Sequence, residues 1–214
     1  MNLIYLHGFA SGPKSTKAEF FLKQLLIQDK NVLIPDLNCP DFEHTTLSSQ
    51  MELVENFLAP AQATVLIGSS MGGLLATLLA MKHEQIKALI LLAPAFGIQS
   101  HLENIWSQSE FSQWQQRGYL EVYHHAFQRE KRLSFNFWKD LQQHKTEQLR
   151  INVPALVFHG ENDAVVAARV SRDFAVLNQQ HVQLHIVIDD HQLIASLDKI
   201  WSNSKIFLDM IADC

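Results

Sequence analysis

Apolar residues along the chain fall into two rhythms. Short, nearly continuous apolar runs occur at 3–6, 32–35, 63–66, 86–92, 155–158 and 182–188. Such runs, several rich in β-branched residues and closed by Gly or Pro, predict buried parallel strands. Between them the apolar positions recur with helical spacing: Ala18, Phe21, Leu22, Leu25 and Leu26 after a Ser15 or Thr16 cap, then 47–58, 74–82, 165–177 and 193–211. Strands alternating with helices at this spacing predict an α/β fold: a mostly parallel sheet of about six strands, flanked by helices in three layers and joined by right-handed crossovers. In such sheets functional residues gather at the carboxyl ends of the strands.

The rhythm breaks between Phe96 and about Arg150. This stretch holds Trp106, Trp114 and Trp138, two of the three tyrosines and many glutamines. Residues 119–123 and 133–137 alternate as the two arms of a hairpin, and the flanking pieces are helical in pattern. The expected arrangement is a cap or partial lid at 97–150, inserted into one domain spanning 1–214. Its aromatics either close the core at that edge or line a substrate pocket, with Phe96, Trp106 and Trp114 as pocket candidates alongside His7, Phe9 and Ser69 at the strand ends.

Composition narrows the classes of partner. A hydrophobic fraction of 47% with 18% charged residues suits one soluble domain with a sizeable core. A net charge of −5 offers no basic face for nucleic acid or an anionic membrane. No apolar run has the length of a membrane span. The eleven histidines are scattered without H-E-x-x-H spacing, so neither metal nor other cofactor is expected. Cys39 and Cys214 form no disulfide framework, and the first apolar run leaves no room for a signal peptide, so the expected location is the cytoplasm.

The run at 63–66 leads into Ile67-Gly68-Ser69-Ser70-Met71-Gly72-Gly73 and then into a helix. This is G-x-S-x-G at a strand-to-helix turn, the setting of a nucleophile elbow. A serine on so sharp a turn sits in strained backbone, and small neighbours let strand and helix approach each other. A hydroxyl alone is a weak nucleophile and needs a base oriented by an acid. Elbow hydrolases supply these in the chain order Ser, Asp or Glu, His. Asp163 follows the penultimate strand and His191 follows the last. Glu161, Asp189 and Asp190 compete for the acid's role, and His159 reads as a packed histidine at a strand end. An oxyanion hole would take one N–H from Met71 and a second from Phe9 in the loop after the first strand, with His7 supporting that loop and Ser69 beside the pocket.

Together Leu6-His7-Gly8-Phe9, Gly68 to Gly73, His159 to Asp163 and Asp190-His191 resemble the α/β-hydrolase superfamily over nearly the whole chain. Residues 4–15 are similar to the small bacterial YqiA/YcfP-type esterases, and the middle region with Trp114 before Gly118-Tyr119 is similar to the cap of acyl-protein thioesterase-like hydrolases. The resemblance implies Ser70, Asp163 and His191 as the triad. The expected activity is hydrolysis of a small-molecule ester or thioester by a monomer or homodimer. The alternatives are the same triad used on a peptide, carbon–carbon or peracid bond, or a binding protein of this fold that turns over nothing. Two departures touch loop shape: Val165-Val166 replaces the usual valine-proline, and His191 follows Asp-Asp instead of glycine. The chain also lacks the first two strands of larger members.

Overall fold

In the computed structural model, which describes residues 1–100 and 106–212, five strands form one parallel sheet. In chain order they are β1 (Asn2–Leu6), β2 (Thr64–Ser69), β3 (Ile86–Leu92), β6 (Ala155–Gly160) and β7 (Val182–Val187), and neighbours in sequence order are neighbours in space. The register ends the strands together: Leu6 faces Gly68, Ser69 faces Leu92, Leu92 faces Phe158 and Gly160 faces Val187. Every loop that leaves a carboxyl end therefore starts at one edge of the molecule.

Alternation along the strands sends apolar side chains to both faces. Ile4, Leu66, Leu89, Leu91 and Val157 pack against α2 (Leu47–Glu55), α3 (Met71–Lys82) and α6 (Arg169–Leu177). Tyr5, Val65, Ile67, Ile90 and Phe158 pack on the other side against α1 (Thr16–Ile27) and α7 (Leu197–Ala212). These are the three layers of an α/β-hydrolase fold.

A sixth strand exists only as a trace. The run at 32–35 makes a single parallel bridge between Leu33 and Ile4, with bonds of 2.8 Å from Tyr5 N–H to Leu33 O and 2.9 Å from Leu33 N–H to Leu3 O. Pro35 has no N–H to extend it. Two helices start later than their apolar spacing suggests. At α6 the N–H groups of Val165 and Val166 are taken by Asp163 Oδ1, and at α7 Leu193 adopts a left-handed φ of 57°.

Between β3 and β6 the chain forms α4 (Gln108–Arg117), the antiparallel hairpin of β4 (Tyr119–His124) and β5 (Arg129–Ser134), and α5 (Asn136–Leu141). The second hairpin arm ends at Ser134, short of the alternating Phe135 and Phe137. Phe135 turns into helix with φ −61° and packs on Trp114 and Phe111, while Phe137 is buried among the α2–α3 cluster. Cys39 is a free thiol, and Cys214 lies outside the described residues. No described helix is long and apolar enough to cross a membrane.

Candidate active site

Ser70 sits where β2 turns into α3, at φ 52° and ψ −116°. A side-chain-bearing residue is strained there and stays only if its surroundings over-determine it. They do. Ser70 N–H donates to Leu92 O at 2.9 Å, and Ser70 O accepts from Gly73 at 2.9 Å, Ala95 at 3.0 Å and Leu74 at 3.2 Å. The flanking glycines are required by contact: a Cβ on Gly68 would run into the Gly72 carbonyl, and one on Gly72 into the Leu6 carbonyl.

His191, in the loop after β7, brings Nε2 to 3.0 Å from Ser70 Oγ and Nδ1 to 2.6 Å from Asp163 Oδ2. An ionised carboxylate only accepts, so Nδ1 carries the proton and Nε2 is left to accept from the serine hydroxyl. The Asp163 side chain is fully buried. Burial alone would raise its pKa, but hydrogen bonds from His159 and His191, the charge attraction of His191 and the Val166 N–H hold the carboxyl well below the usual carboxylate range. Its other oxygen, Oδ1, accepts from Val165 N–H at 2.9 Å and Val166 N–H at 2.8 Å.

The competing carboxylates are occupied elsewhere. Glu161 pairs with Arg172 at 2.7 Å, Asp189 accepts from the N–H groups of Asp190 and Ser196, and Asp190 accepts from Gln192 N–H. These last bonds shape the loop that carries His191. The same loop is tied from α1, where Lys17 Nζ donates to Gln192 O at 2.8 Å. Burial pushes the Lys17 ammonium down to about 8, against the attraction of Asp190, Asp163 and Asp189.

His159 contributes more than packing. It is fully buried, its Nε2 lies 2.8 Å from Val166 O and 3.1 Å from Asp163 Oδ2, and its Nδ1 lies 2.7 Å from Ser171 Oγ. Two acceptors at Nε2 place the proton there. Its spacing of four from Asp163, across the turn that ends β6, is the only sequence signal of this contact.

Among the described residues, no protein acceptor takes the N–H of Phe9 or of Met71. Both residues line a cleft of about 650 Å³ with Ser69, Ser70, His191 and Trp106. Gly8 brings the loop after β1 close: a Cβ there would lie 3.4 Å from that of Ser70. The middle segment adds Ile98, Phe137 and Leu141 to the cleft, as well as His125 and Gln128 of the hairpin turn. Sequence spacing carries no mark of these, because they reach the cleft through tertiary packing.

Three pocket candidates lie elsewhere. His7 is buried, its Nε2 accepting from Leu37 N–H at 3.0 Å, so it anchors the loop instead of facing the cleft. Phe96 turns away from Ser70 to stack on Phe174, ring centres 4.4 Å apart. Trp114 is fully buried and donates from Nε1 to Leu133 O at 2.9 Å, so it builds the core of the middle segment.

Comparison with solved structures gives the same fold. Est1E from Butyrivibrio proteoclasticus, in a structure with ferulic acid bound, superposes with a TM-score of 0.81 at 22% identity, over 99% of this chain and 90% of that one. Alpha/beta hydrolase domain-containing protein 10 from mouse gives 0.80 at 18% identity, over 98% and 90%. The esterase domain of a Rhodothermus marinus protein gives 0.70 at 19%, over 99% and 86%. No curated protein matches the chain. Residues 2–205 match the family described as Uncharacterised protein family (UPF0227), and the chain belongs to that family.

Proposed function

We propose that the protein is a serine hydrolase that cleaves a carboxylic ester or thioester through an acyl-enzyme on Ser70. The observation that carries this reading is the unbroken chain from Ser70 Oγ to His191 at 3.0 Å and from His191 to buried Asp163 at 2.6 Å. His191 Nε2 takes the hydroxyl proton as Ser70 attacks the carbonyl carbon, then gives it to the departing alcohol or thiol. A water, deprotonated by the same nitrogen, releases the acid and restores the serine. Asp163 holds the imidazole tautomer and stabilises the imidazolium.

The N–H groups of Phe9 and Met71 form the oxyanion hole. Among the described residues neither N–H meets a protein acceptor, which supports this, and each donor lowers the barrier by about 3 kcal/mol. Segment 97–150 acts as the cap of a single domain, a reading supported by the cleft-lining positions of Trp106, Phe137 and Leu141. That lining suits an apolar acyl group on a small molecule. The esterase names among the structural neighbours favour ester chemistry over other uses of the same side chains.

The test is covalent labelling with a fluorophosphonate, followed by a panel of p-nitrophenyl esters and acyl thioesters of graded length. The label is expected on Ser70, and Ser70→Ala is expected to lose both label and turnover, by roughly 10⁴-fold or more. A Ser70→Ala variant that still hydrolyses the panel overturns the nucleophile. A protein that is labelled yet cleaves nothing is a binding module on a hydrolase fold.

A further inference from the structure

We propose that Asn38 and His124 are positioning residues that hold the loop bearing the Phe9 N–H, so that the β4–β5 hairpin braces the reacting site. The inference rests on the acyl-transfer reading above and adds to it two side chains that touch no reacting atom.

The loop after β1 needs outside support. Ala10 has a φ of 49°, in the left-handed region that a Cβ disfavours. Two of the loop's carbonyls are tied from other segments. Ala10 O accepts from His125 N–H at 2.9 Å, and Ser11 O accepts from Asn38 Nδ2 at 2.9 Å. The hairpin turn also touches the loop directly, since a Cβ on Gly12 would lie 3.0 Å from that of Ala126.

Asn38 joins the two sides. Its Nδ2 donates to Ser11 O and, at 2.6 Å, to Asp36 Oδ1. Both partners are acceptors only, so the amide cannot be turned the other way. Its Oδ1 must then face the hairpin, where His124 Nε2 stands at 3.1 Å and has to carry the proton. His124 is fully buried, edge-on to Phe42 with ring centres 4.6 Å apart. Its Nδ1 meets no partner among the described residues. An apolar ring would fill that space without stranding a buried nitrogen. What the imidazole alone provides is the N–H to Asn38. From there the path returns to the site, because Phe42 packs on Phe9 at 5.6 Å and His7 ties Leu37 to the root of the same loop.

An oxyanion donor matters more to the transition state than to bound substrate. Loosening the brace should therefore lower kcat and leave KM nearly unchanged. The experiment compares the whole chain with Asn38→Ala, His124→Phe and His124→Gln, using p-nitrophenyl butyrate, a trifluoromethyl ketone that mimics the tetrahedral adduct, and thermal midpoints. His124→Phe keeps the volume and removes the N–H, whereas His124→Gln restores a donor. Asn38→Ala and His124→Phe are expected to lower kcat about 10- to 100-fold, to weaken ketone binding by the same factor, and to hold KM within about twofold. His124→Gln is expected to recover most of the loss. An active wild type whose Asn38→Ala and His124→Phe variants keep kcat and ketone affinity overturns the brace and leaves the acyl-transfer reading standing. A loss of kcat that only tracks the folded fraction, or that His124→Gln does not relieve, overturns it as well. A wild type that cleaves no ester and takes no fluorophosphonate on Ser70 overturns both together.

Discussion

His159 Nε2 stands 3.1 Å from Asp163 Oδ2, the same carboxylate oxygen that His191 Nδ1 meets at 2.6 Å. Asp163 is thus held by one histidine that reaches Ser70 and by another that faces the core. Replacing His159 with Gln keeps a donor and is expected to cost little. His159→Leu leaves the hydroxyl of buried Ser171 and the Val166 carbonyl unpaired, at about 1–3 kcal/mol each. It should lower both the thermal midpoint and kcat, and paired melting and kinetic measurements on the two variants separate the effects.

Asp163 also sets an acid dependence. Its carboxyl titrates lower in the folded chain than in the unfolded one, so its contribution is complete above the unfolded value of about 3.9 and fades as pH falls below it. Asp163→Asn should be less stable than wild type at pH 7, and the gap should narrow below about pH 4. Urea midpoints at pH 7, 4 and 3 read this directly.

Lys17 gives a slope of the same sign in a higher pH window. Its ordinary value is 10.5 and burial brings it to about 8. Between the two, the unfolded chain holds a proton that the folded chain has released, so this group makes stability rise with pH across that window. Below it both states are charged and the cost of the buried ammonium is constant. Lys17→Met should therefore be more stable than wild type at pH 7 by about 1–2 kcal/mol, after losing the Gln192 bond, and the rise above pH 8 should flatten. Its kcat should fall, because the loop carrying His191 loses a tie. Denaturation midpoints at pH 7, 9 and 10 test the first part and ester turnover the second.

The φ of 52° at Ser70 suits glycine better than any residue with a Cβ. Ser70→Gly and Ser70→Ala should both be inactive, yet Ser70→Gly should be the more stable by about 1 kcal/mol. At this chain length that is about 2–4 °C in thermal midpoint. Equal midpoints for the two variants would remove strain from the account of the elbow.

Trp106 and Trp114 pack together, ring centres 4.9 Å apart, but only Trp106 reaches the cleft. Trp114→Ala should cost about 3–5 kcal/mol of stability through its cavity and the lost bond to Leu133. Trp106→Ala should leave a more stable protein than that and shift the preferred acyl length. An ester panel on both variants distinguishes a wall of the cleft from a core side chain.

Local pattern and chain order were enough to read the parallel sheet, the turn at Ser70 and the order of Ser70, Asp163 and His191. The reason is that strand ends and tight turns are written in contiguous residues: apolar runs, glycines, a proline. Once the sheet is parallel, residues just past the strands share one edge. Tertiary structure alone decided everything that depends on which segments meet. Nothing near Phe96 or Trp114 in sequence tells that they pack outside the cleft, while Ile98, Phe137 and Leu141 line it. The tie from Lys17 to Gln192 spans 175 positions and that from Asn38 to His124 spans 86. A buried polar group is oriented by the one partner within hydrogen-bond reach, and that partner is chosen by packing, not by sequence spacing.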